Sequence, residues 1–165
     1  MNMPTINGKA CVVNGVPIDK VFNNGVQVYG RNLIRRANIT AGYVKIDGTI
    51  APADNTLERV TDFIEVEPNQ TYWMQDKVNL APGQYPWFCV GIYDGDKAFI
   101  SRPFFQGSNA TANVTVFNKL KIIMPNNAKY VRVSSCTYGN SIDKFEKSET
   151  ATPWTPAPED VGVTS

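Results

Sequence analysis

Histidine is absent from this chain of 165 residues. Its absence removes the Ser-His-Asp and Cys-His arrangements and any metal site built on imidazole. Cysteine is scarce: Cys11, Cys89 and Cys136 lie far apart, and an odd, sparse count is no disulfide framework. Cys11 and Cys89 sit in apolar runs and read as small buried residues. Synthesis in a reducing cytoplasm is the natural inference. Charge is thin as well. Charged side chains make up 19% of the chain, below the usual quarter. Sixteen basic and fifteen acidic residues leave a net charge of +1. A protein that holds nucleic acid by neutralising phosphates needs a basic excess. The densest basic runs here are Arg31 with Arg35-Arg36 and Lys119 with Lys121. No apolar run approaches the roughly 20 residues of a membrane span. Neither nucleic acid nor membrane is therefore expected as a partner. The opening Met1-Asn2-Met3-Pro4 has no charged n-region and no apolar h-region, so no secretory signal is expected.

What the chain does have is β character. Twelve Gly and eleven Pro punctuate it, and no apolar period of 3.6 residues persists over three turns. The one helical candidate, residues 53–60, reads equally as a loop entering a strand. Residues 1–30 hold three Asn-Gly pairs, Asn7-Gly8, Asn14-Gly15 and Asn24-Gly25. Asn-Gly between Val-rich runs marks type I′ hairpins, because both central residues need positive φ. A meander this small lacks a core and must pack on something else. Candidate strands follow at 43–46, 62–67, 71–76, 87–93, 97–101, 113–117, 120–123, 129–135 and 144–147. Turns at Asp47-Gly48, Pro82-Gly83, Asp94-Gly95 and Gly139-Asn140 separate them. The expected fold is all-β, a jelly-roll-like β-sandwich preceded by a small N-terminal hairpin meander. Its parts are a hairpin attachment segment at 1–30, the sandwich at 31–158 and a loose C-terminal tail at 159–165. In 128–134, Val131 and Val133 share the face expected to be core.

An ordered series of segments resembles a known group. It comprises Arg31-Asn32-Leu33, then Asp62-Phe-Ile-Glu-Val-Glu-Pro-Asn-Gln-Thr-Tyr72, and Gly91-Ile-Tyr-Asp-Gly-Asp-Lys-Ala-Phe-Ile-Ser101. Met124-Pro125 with Ala128-Lys-Tyr-Val-Arg-Val-Ser134 follows, and Phe145-Glu-Lys with Ala151-Thr-Pro-Trp-Thr-Pro-Ala-Pro-Glu-Asp160 closes it. This is similar to the carbohydrate-binding-like modules in tail proteins of siphophages of Gram-positive, lactic-acid bacteria. Many such modules have Glu-Lys-Gly where this chain has Glu146-Lys147-Ser148. The resemblance implies a module on the virion, made in the bacterial host cytoplasm. It would bind host cell-wall polysaccharide and contact other phage tail proteins, with room for a homo-oligomer. These motifs are scaffold and transfer no sugar-binding residues. No cofactor is expected, although jelly-roll modules of this kind often hold a structural calcium.

Aromatics supply the binding candidates. There are three Trp, seven Tyr and eight Phe. Sugars stack their C–H faces on exposed rings and hydrogen-bond to amides and acids nearby. Most rings of a sandwich are core, and Trp73 and Trp154 are expected there. Turn-rich stretches are where binding residues concentrate. They single out Tyr85, Trp87, Phe104 and Tyr138, with Gln84 and Asn140 as polar companions. Carboxylates are the remaining route to acid–base chemistry, among them Asp62, Glu65, Glu67, Asp76, Asp94 and Asp96. Asp94 and Asp96 flank a hairpin glycine, and Glu65 and Glu67 alternate along a solvated strand face. No pairing of carboxylates with a pocket is visible, so no enzyme is expected. Asp94-Gly95-Asp96 lacks the further ligands of a calcium loop. Arg35-Arg36 reads as a solvated turn, with contact to polymer phosphate as the alternative.

Overall fold

A computed structural model describes residues 10–52, 57–136, 138 and 141–161. Two antiparallel hairpins open it: β1 (Val12–Val13) with β2 (Val16–Pro17), then β3 (Lys20–Asn23) with β4 (Val26–Gly30). Asn14 and Gly15 have φ of 51° and 77°, and Asn24 and Gly25 have 49° and 78°. Positive φ at both central residues is what a type I′ turn requires. The pair Asn7-Gly8 lies outside the described residues.

Twelve strands follow: β5 (Ile39–Ala41), β6 (Tyr43–Val44), β7 (Ile50–Ala51), β8 (Glu58–Thr61), β9 (Ile64–Glu65), β10 (Thr71–Leu80), β11 (Trp87–Tyr93), β12 (Phe99–Ser101), β13 (Phe104–Gln106), β14 (Val114–Ile123), β15 (Tyr130–Cys136) and β16 (Ser141–Lys147). A small sheet runs β14-β10-β16. A larger one runs β12-β11-β15-β8-β5, with β13 beside β11 and β9 beside β15. Along β10, Tyr72, Met74, Asp76, Val78 and Leu80 are buried, whereas Trp73, Gln75 and Lys77 are half-buried on the other face. That alternation turns one face of the small sheet inward. Tyr72, Met74 and Phe145 there meet Phe88, Val90, Ile92, Val131 and Val133 from the larger sheet. The result is an all-β sandwich closed over one core. Tyr72 stacks on Phe145 at 5.2 Å, and Phe88 on Phe105 at 5.0 Å. Burying each such side chain stabilises by about 1.5–3 kcal/mol.

Several expectations change. The strands expected at 113–117 and 120–123 are one strand, because β10 offers ladder partners to all of Val114–Ile123. The helical candidate ends in β8, paired with β15 and β5, and residues 53–56 lie outside the described residues. Trp73 is not core: it faces outward from β10, and its Nε1 donates to the Glu149 carbonyl at 3.3 Å. Beyond residue 158 the expected loose tail begins with contacts. Pro158–Val161 form a 3-10 turn, Glu159 pairs with Arg31 and Arg35, and the Arg36 amide donates to Asp160 Oδ1 at 2.9 Å.

The first and last of the segments that carried the resemblance meet at β16. Asn32 Oδ1 accepts from the Ile34 and Phe145 amides, and its Nδ2 donates to the carbonyls of Asp143 and Thr155. On the outer face of β16, Lys144 and Glu146 are fully buried 3.4 Å apart. Thr152 Oγ donates to Glu146 and accepts from Lys144 Nζ and from the Gly30 amide. One threonine thus ties the N-terminal hairpins, β16 and the C-terminal segment together. The buried pair is tolerated because each charge has its partner and further hydrogen bonds.

Candidate functional site

Rings gather where β11 begins. Trp87 is its first residue, and β13 lies alongside, with Trp87 opposite Gln106 and Cys89 opposite Phe104. That register brings the Trp87 and Phe104 side chains to one face. Their rings stack at 6.0 Å with planes 18° apart. Tyr43, from β6, meets Trp87 edge-on at 6.4 Å. The Arg102 guanidinium lies 5.1 Å from the Phe104 centroid, fixed by an Nη1 hydrogen bond to the Val44 carbonyl at 2.8 Å. Phe104 is 43% exposed and Tyr85 37%, while Trp87 and Tyr138 are half-buried. Tyr138 Oη donates to the Tyr85 carbonyl at 3.0 Å and so pins the loop before β11. Burial pushes the Cys136 thiol up, and Tyr138 and Trp87 beside it pull the other way.

Four of the residues singled out from sequence therefore lie at one end of the larger sheet. Gln84 is in the same loop, but its Oε1 accepts from the Ala81 amide at 2.8 Å and serves the turn. Asn140 lies outside the described residues. Sequence reasoning missed Tyr43 and Arg102. Their only signal is three-dimensional, since β6 and the β12–β13 connection are brought together by the fold. What results is an open aromatic ledge with guanidinium donors at its rim. Stacked rings offer apolar faces, and Arg offers a rigid fork of donors.

The carboxylates sit elsewhere. Asp76 and Asp143 are opposite each other in β10 and β16 and face the space between the sheets. Asp76 Oδ1 accepts from Asn118 Nδ2, and Asp143 Oδ2 from Ser135 Oγ, both at 2.7 Å. The other oxygen of each has no partner. Burial, added to by the Asp143 charge and opposed by Asn118, lifts Asp76 to about 7. Burial likewise lifts Asp143 to about 6. Asp94 Oδ1 accepts from the Asp96 and Ala98 amides and is a turn cap. Glu65 and Glu67 pair with Lys129 and Lys147 on the surface. Among the described residues no three His, Cys, Asp or Glu side chains come together to hold a metal ion. A cleft of about 260 Å³ beside Asp143 is lined by Arg36, Arg59, Trp154 and Asp160. Trp154 is half-buried there, its Nε1 donating to the Asp143 carbonyl at 3.1 Å.

Fold and site together define a β-sandwich with an aromatic ledge at one end of its larger sheet. No family model matches the chain. A tail fiber protein of Enterococcus phage phiEF24C is 32% identical over 155 residues, covering 92% of this chain. The chain spans only 8% of that relative's length. Among solved structures, a family 16 carbohydrate-binding module superposes with a TM-score of 0.34 at 13% identity, over 55% of this chain and 65% of that one. The C-terminal family 22 carbohydrate-binding module of Clostridium thermocellum Xyn10B gives 0.33 at 14% identity, over 72% and 88%. These overlaps are low, and the architecture rests on the strand pairing given above.

Proposed function

We propose that this chain is a non-catalytic module of a phage tail that binds host cell-surface saccharide and so promotes adsorption. One observation carries the reading: the Trp87–Phe104 stack, open to solvent and flanked by Tyr43 and Arg102. Pyranose C–H faces fit such rings, and guanidinium donors suit sugar hydroxyls. The likeness to a phage tail fiber protein supports the setting. The chain would be made in the host cytoplasm and act on the virion. Catalysis is not part of the reading. Of the facing carboxyls Asp76 and Asp143, Asp76 is 3% exposed between the sheets, where a sugar ring has no access. Affinity per site is weak, because hydrated sugars lose much of the contact gain to desolvation. Many copies supply avidity.

A second reading has its own observation. The hairpins leave Val16, Phe22 and Val26 exposed, an apolar surface suited to assembly with other tail proteins or with sister copies. The two readings coexist, with the hairpins assembling and the ledge binding. An oligomeric fluorescent fusion tests them on host cells and purified wall polysaccharide. Binding that disappears in Trp87→Ala and Phe104→Ala, with the circular dichroism unchanged, supports the ledge. Absence of binding by the unaltered fusion would sink it. Co-purification with tail proteins without any saccharide binding would leave only the assembly role.

A further inference from the structure

The outer face of the small sheet carries charge that neither the fold nor the ledge uses. β10 and β14 pair in register along their whole length, so Lys77 faces Phe117, Gln75 faces Lys119 and Trp73 faces Lys121. Side chains at these positions point away from the core. Every outward residue of the two strands is apolar, neutral polar or lysine, and none is acidic. On neighbouring β16 the outward carboxylate is Glu146, already buried against Lys144. Among the described residues Lys77, Lys119 and Lys121 form no ion pair, whereas Lys45, Lys129, Lys144 and Lys147 each have one. Phe117 is 75% exposed, with Lys77 Nζ 5.4 Å from its ring centroid. Lysines on an edge strand often serve only to discourage sheet-to-sheet pairing. That accounts for Lys119 and Lys121. It does not account for Lys77 on the central strand, nor for a bare phenyl ring between the charges.

We propose that this face binds an anionic glycan chain, with sugar rings against Phe117 and Trp73 and phosphate or carboxylate groups on Lys77, Lys119 and Lys121. Lys119 and Lys121 share a face two residues apart, roughly 7 Å along the strand, and can meet successive charged repeats. Ammonium groups act as point charges and take either oxyanion. The surface lies on the opposite sheet from the ledge, so either can fail without the other.

Binding of the full chain is measured by calorimetry against four probes: a phosphate-linked wall glycan, a uronate-rich glycan, a neutral glycan and single-stranded DNA. The two anionic glycan arms show which oxyanion is preferred. Lys119→Glu with Lys121→Glu should weaken anionic-glycan binding by about tenfold or more, and raised salt should weaken it similarly. Phe117→Ala should weaken it several-fold, since stacking is lost while charge remains. The fold-loss on charge reversal should be the same in a Trp87→Ala background, because the two surfaces lie on opposite sheets. Phe117, Lys119 and Lys121 are exposed, and thermal melts will show that the variants fold. Unaltered binding in the charge-reversed variant overturns the proposal. So does equal binding of DNA together with indifference to Phe117→Ala, which would reduce the face to an unspecific cation patch.

Discussion

Asp76→Asn should make the protein more stable at neutral and alkaline pH, and the reason lies in the facing carboxyls of β10 and β16. Burial lifts Asp76 to about 7 and Asp143 to about 6, from an ordinary 3.8. Both groups therefore hold a proton more tightly folded than unfolded. Their contribution is fully present at low pH and is lost as pH rises toward the folded values, after which it stays flat. Between about pH 5 and 8, Asp76 loses its proton across two pH units and Asp143 across one, and at 1.36 kcal/mol per unit the sum is roughly 4 kcal/mol. Asparagine keeps the acceptor that Asn118 uses and puts an amide where Oδ2 is unpartnered. It cannot ionise. The loss from about pH 5 to 8 should then shrink to roughly 1–2 kcal/mol, leaving the variant about 2–3 kcal/mol more stable than the parent at about pH 8. Urea unfolding followed by tryptophan fluorescence at several pH values measures this. Other titrating groups are common to both proteins, so the difference between the two curves isolates Asp76. Parent stability that is flat or rising over this range would refute the reasoning. So would a variant destabilised equally at every pH.

Three further outcomes follow from packing. A Cβ at Gly30 would lie 1.9 Å from Glu146 Oε2, so Gly30→Ala should cost about 1–3 kcal/mol by urea unfolding through overpacking. Lys144→Met strands a fully buried Glu146 and should cost about 3–5 kcal/mol, with Lys144→Met/Glu146→Gln recovering a large part of it. At the ledge, Trp87→Ala should weaken saccharide binding by roughly tenfold, at least the about 0.5–1.5 kcal/mol of an aromatic contact, with calorimetry on wall polysaccharide as the check.

Local chemistry was legible in the sequence, and long-range pairing was not. Asn14-Gly15, Asn24-Gly25 and the Asp94 turn form as their residues dictate, and β11 spans the expected 87–93. Val131 and Val133 are core. β5, β8 and β13 have only three or four residues each, and partners distant in sequence define them. The strands expected at 113–117 and 120–123 run on through Asn118-Lys119 as β14. No Gly or Pro is there to break the ladder that β10 completes. At the ledge, the turn-rich setting singled out Tyr85, Trp87, Phe104 and Tyr138, which the fold brings to one end of the larger sheet. Arg102 reaches it through a bond spanning 58 residues, which no local pattern encodes. Lys144 and Glu146 mislead in the same way. Alternating charges on a strand ordinarily mark a solvated face, and only the hairpins and the 152–155 segment folding over them make that face interior.

This division of labour bears on what resemblance can transmit. Two of the stretches on which the resemblance rests, Arg31-Asn32-Leu33 and Thr152-Pro153-Trp154-Thr155, are spent on one joint, where Asn32, Thr152, Lys144 and Glu146 close the small sheet against both ends of the described chain. A change at that joint strands a buried charge or an unpaired amide, so its sequence is tightly constrained by stability. The rings of the ledge and the lysines of β14 are held by backbone that other residues occupy equally well. Replacing the exposed Phe117, Lys119 or Lys121 leaves no buried group without a partner. A sandwich of this design can therefore keep its joint and exchange its surfaces, so that architecture and ligand preference are set by different residues.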